Sequence, residues 1–172
     1  MNKHSLLTIS LLSLSFISLL SCSKNDSSKE PTVEPDAIIN FPDATFKSLL
    51  SLHGKALTRD GITLIDTNND GEIQIKEAQA YTGLLHVSGG IIGREITDLT
   101  GIEHFINITK LYAYNNKKLE KIDVSKNTQL TYLIAVGNGL TEIDITKNTA
   151  LVQLHLHDNK LTQIDASKKF KS

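Results

Sequence analysis

Oxygen-bearing side chains alternate along one short stretch of the sequence, DTNNDGEIQIKE, which begins at Asp66 and ends at Glu77. Aspartate or asparagine occupies positions 1, 3 and 5 of this stretch, glycine occupies position 6 and glutamate occupies position 12. A hard divalent cation takes about six to eight oxygen ligands, and a glycine allows the sharp turn that brings the second half of a loop round such an ion. The stretch therefore predicts a calcium site.

The spacing matches an EF-hand loop at every defining position. The predicted ligands are the side chains of Asp66, Asn68, Asp70 and Glu77 and the backbone carbonyl of Glu72. A lone loop of this composition is expected to bind Ca²⁺ with a dissociation constant on the order of 0.1 to 1 mM, and mainly to stabilise the fold. The alternative is an ordinary polar Asn/Asp/Gly turn without a metal.

Short helices are expected on both sides of this loop. Phe46 and Leu50 lie at helical spacing behind Asp43, which predicts a helix over residues 43–52 with the aspartate as its N-cap. Good helix formers over residues 76–81 predict the helix that leaves the loop. Only one such loop occurs in the sequence, whereas EF-hand loops usually pair.

A period of 21 residues fills the rest of the sequence. Three units begin at Ile108, Leu130 and Leu151, and the first of them has one extra residue. Each unit predicts one short strand, and stacked units predict a parallel sheet whose other side consists of turns and short 3₁₀ segments, because 21 residues leave no room for a long return helix. The predicted strands are 111–113, 133–135 and 154–156, with an irregular leading strand at 85–87.

These units resemble leucine-rich repeats of the internalin type. The order of segments is similar to that of leucine-rich-repeat lipoproteins of Bacteroidota-like bacteria: FPDATFKSLL, DTNNDGEIQIKEA, ITDLTGIEHF, and then repeats ending in Ile-Asp-x-Ser/Thr-Lys-Asn-Thr. The resemblance implies an α+β fold, in which a short helical EF-hand-like cap precedes a leucine-rich-repeat solenoid. Several relatives carry cysteine where this chain has Ala113, Ala135 and Leu156.

Two columns of polar residues recur with the repeat. Asparagine is expected to hydrogen-bond the backbone of adjacent turns inside the stack, at Asn116, Asn138 and Asn159. The aspartates of the second column are expected to cap turns, and a second cation site is the less simple alternative. These residues are Asp123, Asp144 and Asp165.

The outward positions of the strands are the places where this scaffold can contact a partner. They are Lys110, Tyr112, Tyr114, Tyr132, Ile134, Val136, Gln153, His155 and His157. Exposed aromatic and aliphatic side chains on a sheet are typical of a protein-binding face, although apolar residues also favour strands for packing alone. His155 and His157 are interpreted as a surface pair, and no role is assigned to the histidines at 53, 86 and 104.

The N-terminal segment has the layout of a secretory signal. Residues 1–21 contain Lys3, an apolar run and no acidic residue, and the only cysteine, Cys22, follows Leu-Leu-Ser. This resembles a bacterial lipobox, which predicts cleavage before Cys22 and acylation of its thiol, with an ordinary signal peptide as the alternative. The predicted organisation is a signal at 1–21, an acylated cysteine and disordered tether at 22–37, a calcium-binding cap at 38–83 and repeats at 84–172.

Composition excludes other classes. The net charge of −1 is not that of a protein that binds nucleic acid through its phosphates, so this class is excluded. The sequence has no recognisable catalytic motif, so an enzyme is not expected. The predicted function is a lipid-anchored binding or adhesion protein of the outer membrane or cell surface, whose sheet contacts a host or bacterial surface protein. The alternatives are a dockerin-like calcium-dependent docking module with the repeats as a spacer, and a non-catalytic subunit of a surface assembly.

Overall fold

The computed structural model describes residues 34–53, 64–89 and 95–162. By its internal contacts the chain divides into two units, Met1–Thr32 and Val33–Ser172, and the described residues belong to the second. The signal, Cys22 and tether residues 23–33 lie outside the described residues. Residues 34–37 were predicted to belong to a disordered tether, but the carbonyls of Pro35 and Ala37 accept hydrogen bonds from the N–H groups of Lys76 and Ile75, so the ordered chain begins before the predicted boundary at residue 38.

Helix α1 spans Ala44–His53 and begins one residue later than predicted. Asp43 caps it, since Oδ1 of Asp43 accepts a hydrogen bond from the N–H of Phe46 at 2.9 Å. Phe46 and Leu50 are fully buried, and Phe41 packs edge-on against Phe46 with ring centroids 5.4 Å apart. The predicted cap and buried face of this helix are therefore confirmed.

Helix α2 spans Ile75–Ala80, directly after the oxygen-rich loop. The carboxylate of Glu77 accepts the N–H of Gln74 at 3.0 Å, which satisfies a donor that would otherwise be free at the helix start. Tyr81 ends the helix, and its N–H donates to the carbonyl of Glu77 at 3.1 Å. The helix is short because the chain turns at once into the sheet.

Four short parallel strands of the described residues form one sheet in chain order. They are β1 Gly83–His86, β2 Ile108–Tyr112, β3 Tyr132–Ile134 and β4 Gln153–His155. Each begins earlier than predicted, but the ladder continues beyond the strands through bonds such as Val87 N–H to the Tyr112 carbonyl at 2.7 Å. A 3₁₀ helix spans Ile102–His104, and residues 113–152 contain turns and no α-helix, as the short period predicts.

The inward side chains of the strands fill the interior of the stack. Leu111, Ala113, Leu133 and Ala135 have no exposed surface, and they alternate with half-buried outward neighbours. The same core continues into the N-terminal segment, where Phe46 and the repeat residue Phe105 belong to one hydrophobic cluster. The helices and the repeats therefore share a single core.

The predicted asparagine column is confirmed as a hydrogen-bonded ladder. Asn138 donates to the Ala113 carbonyl at 2.6 Å, and its side-chain oxygen accepts the N–H of Asn116 at 2.8 Å. Asn159 repeats the pattern one unit later, with a 2.7 Å bond to the Ala135 carbonyl. Each asparagine thus joins its own turn to the preceding one.

A second asparagine column was not predicted. Asn127 donates to the carbonyls of Ile102 and Phe105 at 2.9 and 3.0 Å, and Asn148 donates to the carbonyls of Val124 and Asn127, each at 2.9 Å. Both asparagines are fully buried. The signal was present in the sequence, because Lys-Asn-Thr recurs at the 21-residue period.

The aspartate column caps turns, as the simpler interpretation predicted. Asp123 accepts the N–H of Ser125 at 2.9 Å, and Asp144 accepts the N–H of Thr146 at 2.8 Å. The third member, Asp165, lies outside the described residues.

Candidate functional sites: an oxygen-rich loop and a sheet face

The loop from Asp66 onwards winds round its own side-chain oxygens. The Asp66 carboxylate accepts the N–H of Gly71 at 2.9 Å and that of Asp70 at 3.2 Å. Oδ1 of Asn68 accepts the same Asp70 N–H at 3.0 Å, and the Asp70 carboxylate accepts the N–H of Glu72 at 2.8 Å. The side chains at positions 1, 3 and 5 are therefore held at the inside of one turn.

The backbone conformation depends on two residues in the left-handed region. Asn69 has φ of 58° and Gly71 has φ of 83°. No atom lies within 4 Å of the place where a Cβ of Gly71 would be, so glycine is favoured here by backbone conformation and not by lack of space.

Glu77 closes the loop from the far side. Its Oε1 accepts the N–H of Thr67 at 2.8 Å, the hydroxyl of Thr67 at 2.7 Å and the N–H of Asn68 at 3.3 Å, so the carboxylate reaches back from α2 to the start of the loop. Only 3% of the residue is exposed. Burial raises the pKa of Glu77, but hydrogen bonds from Gln74, Thr67 and Asn68 outweigh it and hold the pKa below its ordinary value.

A second segment of the chain pairs with the second half of the loop. Ile73, at position 8, accepts the N–H of Ile39 at 2.9 Å, and the N–H of Ile75 donates to the carbonyl of Ala37 at 3.0 Å. Ile38 and Gln74 form an antiparallel bridge between the two segments. Residues 35–39 therefore run along the edge of the loop and fix its second half.

The donor set fits a hard cation such as Ca²⁺ in its chemistry, since every predicted ligand is an oxygen. Lys47 holds both carboxylate oxygens of Glu72 at 2.7 and 2.8 Å, which leaves the Glu72 backbone carbonyl for the predicted role. Within the described ranges, no three His, Cys, Asp or Glu side chains are gathered into a metal-holding cluster. Two of the predicted ligands are of other kinds, namely the side-chain amide oxygen of Asn68 and the backbone carbonyl of Glu72.

The outward side chains of the sheet form three rows that run across the four strands, and we call them together the exposed face. Strand register and the continuing ladder define the rows from β1 to β4. The rows are Leu84, Lys110, Tyr132 and Gln153; then His86, Tyr112, Ile134 and His155; then Ser88, Tyr114, Val136 and His157. The structure thus brings all of the predicted partner-binding residues onto one surface.

The aromatic part of the exposed face includes a histidine that sequence reasoning missed. His86 stands opposite Tyr112 in the strand register, with ring centroids 6.0 Å apart, and its ring lies 5.4 Å from that of Tyr114. All three side chains are half-buried. His86 has no counterpart in the repeat period. Alternation along the irregular leading strand was therefore the only sequence signal that its side chain points outward.

The two ends of the exposed face differ in burial. Lys110 is half-buried and its ammonium lies 5.1 Å from the ring centroid of Tyr132, a cation–π geometry. His155 and His157, on and just after β4, are exposed. The face therefore has a packed aromatic side and an accessible histidine side.

The predicted lipidation site, Cys22, lies outside the described residues. Within the described ranges, no helix is both long and apolar enough to cross a membrane.

The sequence matches no protein-family profile and no curated protein. The fold is similar to a solved structure described as the functional domain of InlJ from Listeria monocytogenes, which includes a cysteine ladder. The two share 29% identity with a TM-score of 0.59, over 80% of this chain and 28% of that chain. This chain has asparagine ladders and a single cysteine, which precedes the repeats. The similarity shows an internalin-like leucine-rich-repeat fold.

Proposed function

We propose that this chain is a surface protein-binding module, and that the exposed face receives its partner. The observation that carries the proposal is the aromatic cluster on the exposed face. The ring of His86 packs against those of Tyr112 and Tyr114, and all three residues remain partly exposed. Aromatic side chains that are already ordered lose little entropy on binding, and they are the side chains that dominate protein interfaces.

The internalin-like fold supports the same proposal at the level of architecture. A solenoid of this kind presents a regular sheet surface, and the inward leucines and the asparagine ladders hold that surface in place. The role we propose is binding and not catalysis.

We further propose that the module is exported and anchored through Cys22. The proposal rests on the sequence: an apolar signal without acidic residues ends directly before the chain's only cysteine. A polar Ser- and Pro-bearing stretch then separates that cysteine from the first described residue, Glu34. Growth with labelled palmitate, followed by purification of the wild type and of Cys22→Ala, tests it; label on both proteins would contradict the proposal.

We also propose that calcium binds the loop and stabilises the cap. Side-chain oxygens of Asp66, Asn68 and Asp70, the carbonyl of Glu72 and both oxygens of Glu77 would hold the ion. When bound, Ca²⁺ would neutralise the repulsion among these carboxylates and link the two halves of the loop. The fixed turn at Gly71 and the buried Glu77 support this assignment.

Tyrosine variants test the binding proposal. We expect Tyr112→Ala and Tyr132→Ala each to lose most of the capture of a surface protein partner, identified first by crosslinking the wild type to surface extracts. Loss of a central aromatic contact of this type costs about 2 kcal/mol or more of binding, roughly 30-fold in affinity. Lys147→Ala, an exposed change in a turn away from the strands, is the matched control. Unchanged capture by both tyrosine variants would refute the proposal.

The calcium loop also allows a second function, in which the cap docks to a partner and the repeats act as a spacer, alone or within a surface assembly. Asp66→Ala separates the two possibilities. Under this alternative it abolishes capture while circular dichroism and thermal unfolding of the repeats stay unchanged, and the tyrosine variants capture normally.

A further inference from the structure

The exposed face carries one ammonium group and is rich in hydrogen-bond donors. Its three rows carry Lys110, three histidines and three tyrosines, and none of the twelve positions is an aspartate or glutamate. One carboxylate borders the face at a corner, where Asp158 follows the last strand with φ of 58°. We propose that the exposed face binds an extended, acidic segment of a protein partner. This inference rests on the proposed function and specifies the chemistry of its partner.

The first anchor for such a segment is Lys110. Its ammonium is held over the Tyr132 ring at 5.1 Å, and the two residues stand opposite each other on β2 and β3. The lysine is half-buried and already ordered, so an incoming carboxylate does not have to immobilise a freely rotating chain. The hydroxyls of the neighbouring tyrosines can donate hydrogen bonds to the same carboxylate.

The second anchor is the histidine pair on the accessible side. His155 and His157 are two residues apart along extended backbone, which places their Cα atoms roughly 7 Å apart. Alternate residues of an extended peptide have the same spacing, so two carboxylates at positions i and i+2 of the partner match the two imidazoles. This match favours an extended segment over a helix, in which neighbours on one face are three or four residues apart.

Of the described residues that neighbour these histidines along the chain and on β3, one is charged. From β3, His155 faces Ile134, and the ladder places Val136 beside His157. On their own strand the neighbours are Gln153 and Asp158, of which only the aspartate is charged. His86, at the other end of its row, faces the tyrosines of β2. The N–H groups of these imidazoles can donate hydrogen bonds to the carboxylates of an acidic segment.

The probe for this inference is a labelled twelve-residue peptide in which glutamate and threonine alternate. Fluorescence anisotropy with the full chain would compare it with the matched glutamine–threonine and lysine–threonine peptides. We expect the glutamate peptide to bind ~10-fold more tightly than the glutamine peptide, as two or three partly exposed contacts to carboxylates would give, and salt to weaken its binding. The lysine peptide should not bind.

Variants on the exposed face locate the effect. The double change His155→Gln and His157→Gln should weaken glutamate-peptide binding ~3-fold, and Lys110→Gln should weaken it by a similar factor. Lys147→Gln, an exposed lysine in a turn outside the three rows, is the control and should change nothing. Circular dichroism checks that each variant is folded.

The results separate this inference from the proposed function. If the glutamate peptide binds no better than the glutamine peptide, or if none of the peptides binds, the inference is wrong, while a capture that still depends on Tyr112 leaves the proposed function standing. If capture of the crosslinked partner is unaffected in both tyrosine variants, the exposed face is not the binding surface and both proposals fail.

Discussion

At the scale of single residues, Asp43 shows how one carboxylate can join two parts of a fold. Its Oδ1 caps helix α1, while its Oδ2 accepts the N–H and the hydroxyl of Thr97 at 2.7 and 3.0 Å and the N–H of Asp98 at 3.3 Å. The cap was predicted, but the contact with residues 97–98, 54 positions away, was not. Partial burial raises the pKa of Asp43, and the hydrogen bonds outweigh it, so that the pKa is lowered.

A lowered pKa gives this residue a defined pH dependence. Because the folded protein holds the carboxylate more acidic than the unfolded chain does, its stabilisation is present above the ordinary aspartate pKa and is lost as the pH falls through the lower, folded value. Asp43→Asn keeps a capping oxygen but faces Thr97 and Asp98 with an amide. We expect a loss of about 1 kcal/mol at pH 7.

Urea unfolding of the wild type and of Asp43→Asn at several pH values would measure this difference. The gap between the two proteins should begin to shrink as the pH falls below the ordinary aspartate pKa and should be smallest below the lower, folded value, where Asp43 is uncharged like asparagine. A gap that stays constant from pH 7 to pH 3 would contradict the assignment.

At the scale of elements, the two asparagine ladders differ in which side-chain atoms form hydrogen bonds. In the first ladder the side-chain oxygens are used, since those of Asn138 and Asn159 accept the N–H groups of Asn116 and Leu140. In the second, the side-chain oxygens of Asn127 and Asn148 are buried and have no hydrogen-bond partner among the described residues. The second ladder therefore acts through its amide N–H donors alone.

This difference predicts an order of stability losses. Asn138→Ala removes both donor and acceptor bonds and should cost about 2 to 3 kcal/mol, whereas Asn148→Ala also relieves an unsatisfied oxygen and should cost about 1 to 2 kcal/mol. Chemical unfolding measures both, with Thr149→Ala at an exposed neighbouring position as a control that should stay within about 0.5 kcal/mol of the wild type. The reverse order would contradict the proposed difference between the ladders.

The repeat period explains why the sheet was easier to predict than the cap. Alternation along each strand determines which side chains point inward, so Leu111, Leu133 and their outward neighbours were assigned correctly. The strand ends were less certain, because the backbone ladder runs on past the assigned strands. His86 was missed because it lies in an irregular leading unit, where no second copy confirms the register.

The contact between residues 35–39 and the loop could not be predicted for a different reason. Its bonds join backbone groups, such as the N–H of Ile39 and the carbonyl of Ile73, and backbone groups leave no residue-specific pattern in a sequence. The turn that gathers the side chains of Asp66, Asn68 and Asp70, in contrast, could be predicted from the residue types, because oxygen-bearing side chains and one glycine follow one another at fixed spacing.

At the scale of the whole molecule, helices and repeats have one core and should unfold together. Phe105 of the repeats packs against Tyr81 at the end of α2 with ring centroids 6.2 Å apart, and Asn107 donates to the carbonyl of Gln79 at 2.7 Å. Gly101 has φ of 105° and approaches the Phe41 ring so closely that a Cβ there would meet it at 2.5 Å. Stabilising the loop should therefore stabilise the repeats.

The effect of calcium on the melting temperature tests whether the loop and the repeats unfold together. At ten to a hundred times its dissociation constant, a ligand of the folded state adds about 1.4 to 2.7 kcal/mol, which for a domain of this size raises the melting temperature by roughly 4 to 8 °C. We expect EDTA to remove this increase and Asp66→Ala to abolish it, while Asp144→Ala, a turn-capping change away from the loop, should retain it. Identical melting curves in EDTA and in millimolar calcium would refute calcium stabilisation.

The pairing of residues 35–39 with the loop also determines how the protein responds to mechanical load. The described chain begins at Glu34, and its first contacts with the rest of the molecule are the hydrogen bonds from Lys76 and Ile75 to the carbonyls of Pro35 and Ala37. Tension applied at the N-terminal end reaches these bonds, and then the buried Ile39, before it reaches any strand of the sheet. Pulling should thus separate this segment from the loop first and leave the exposed face undistorted.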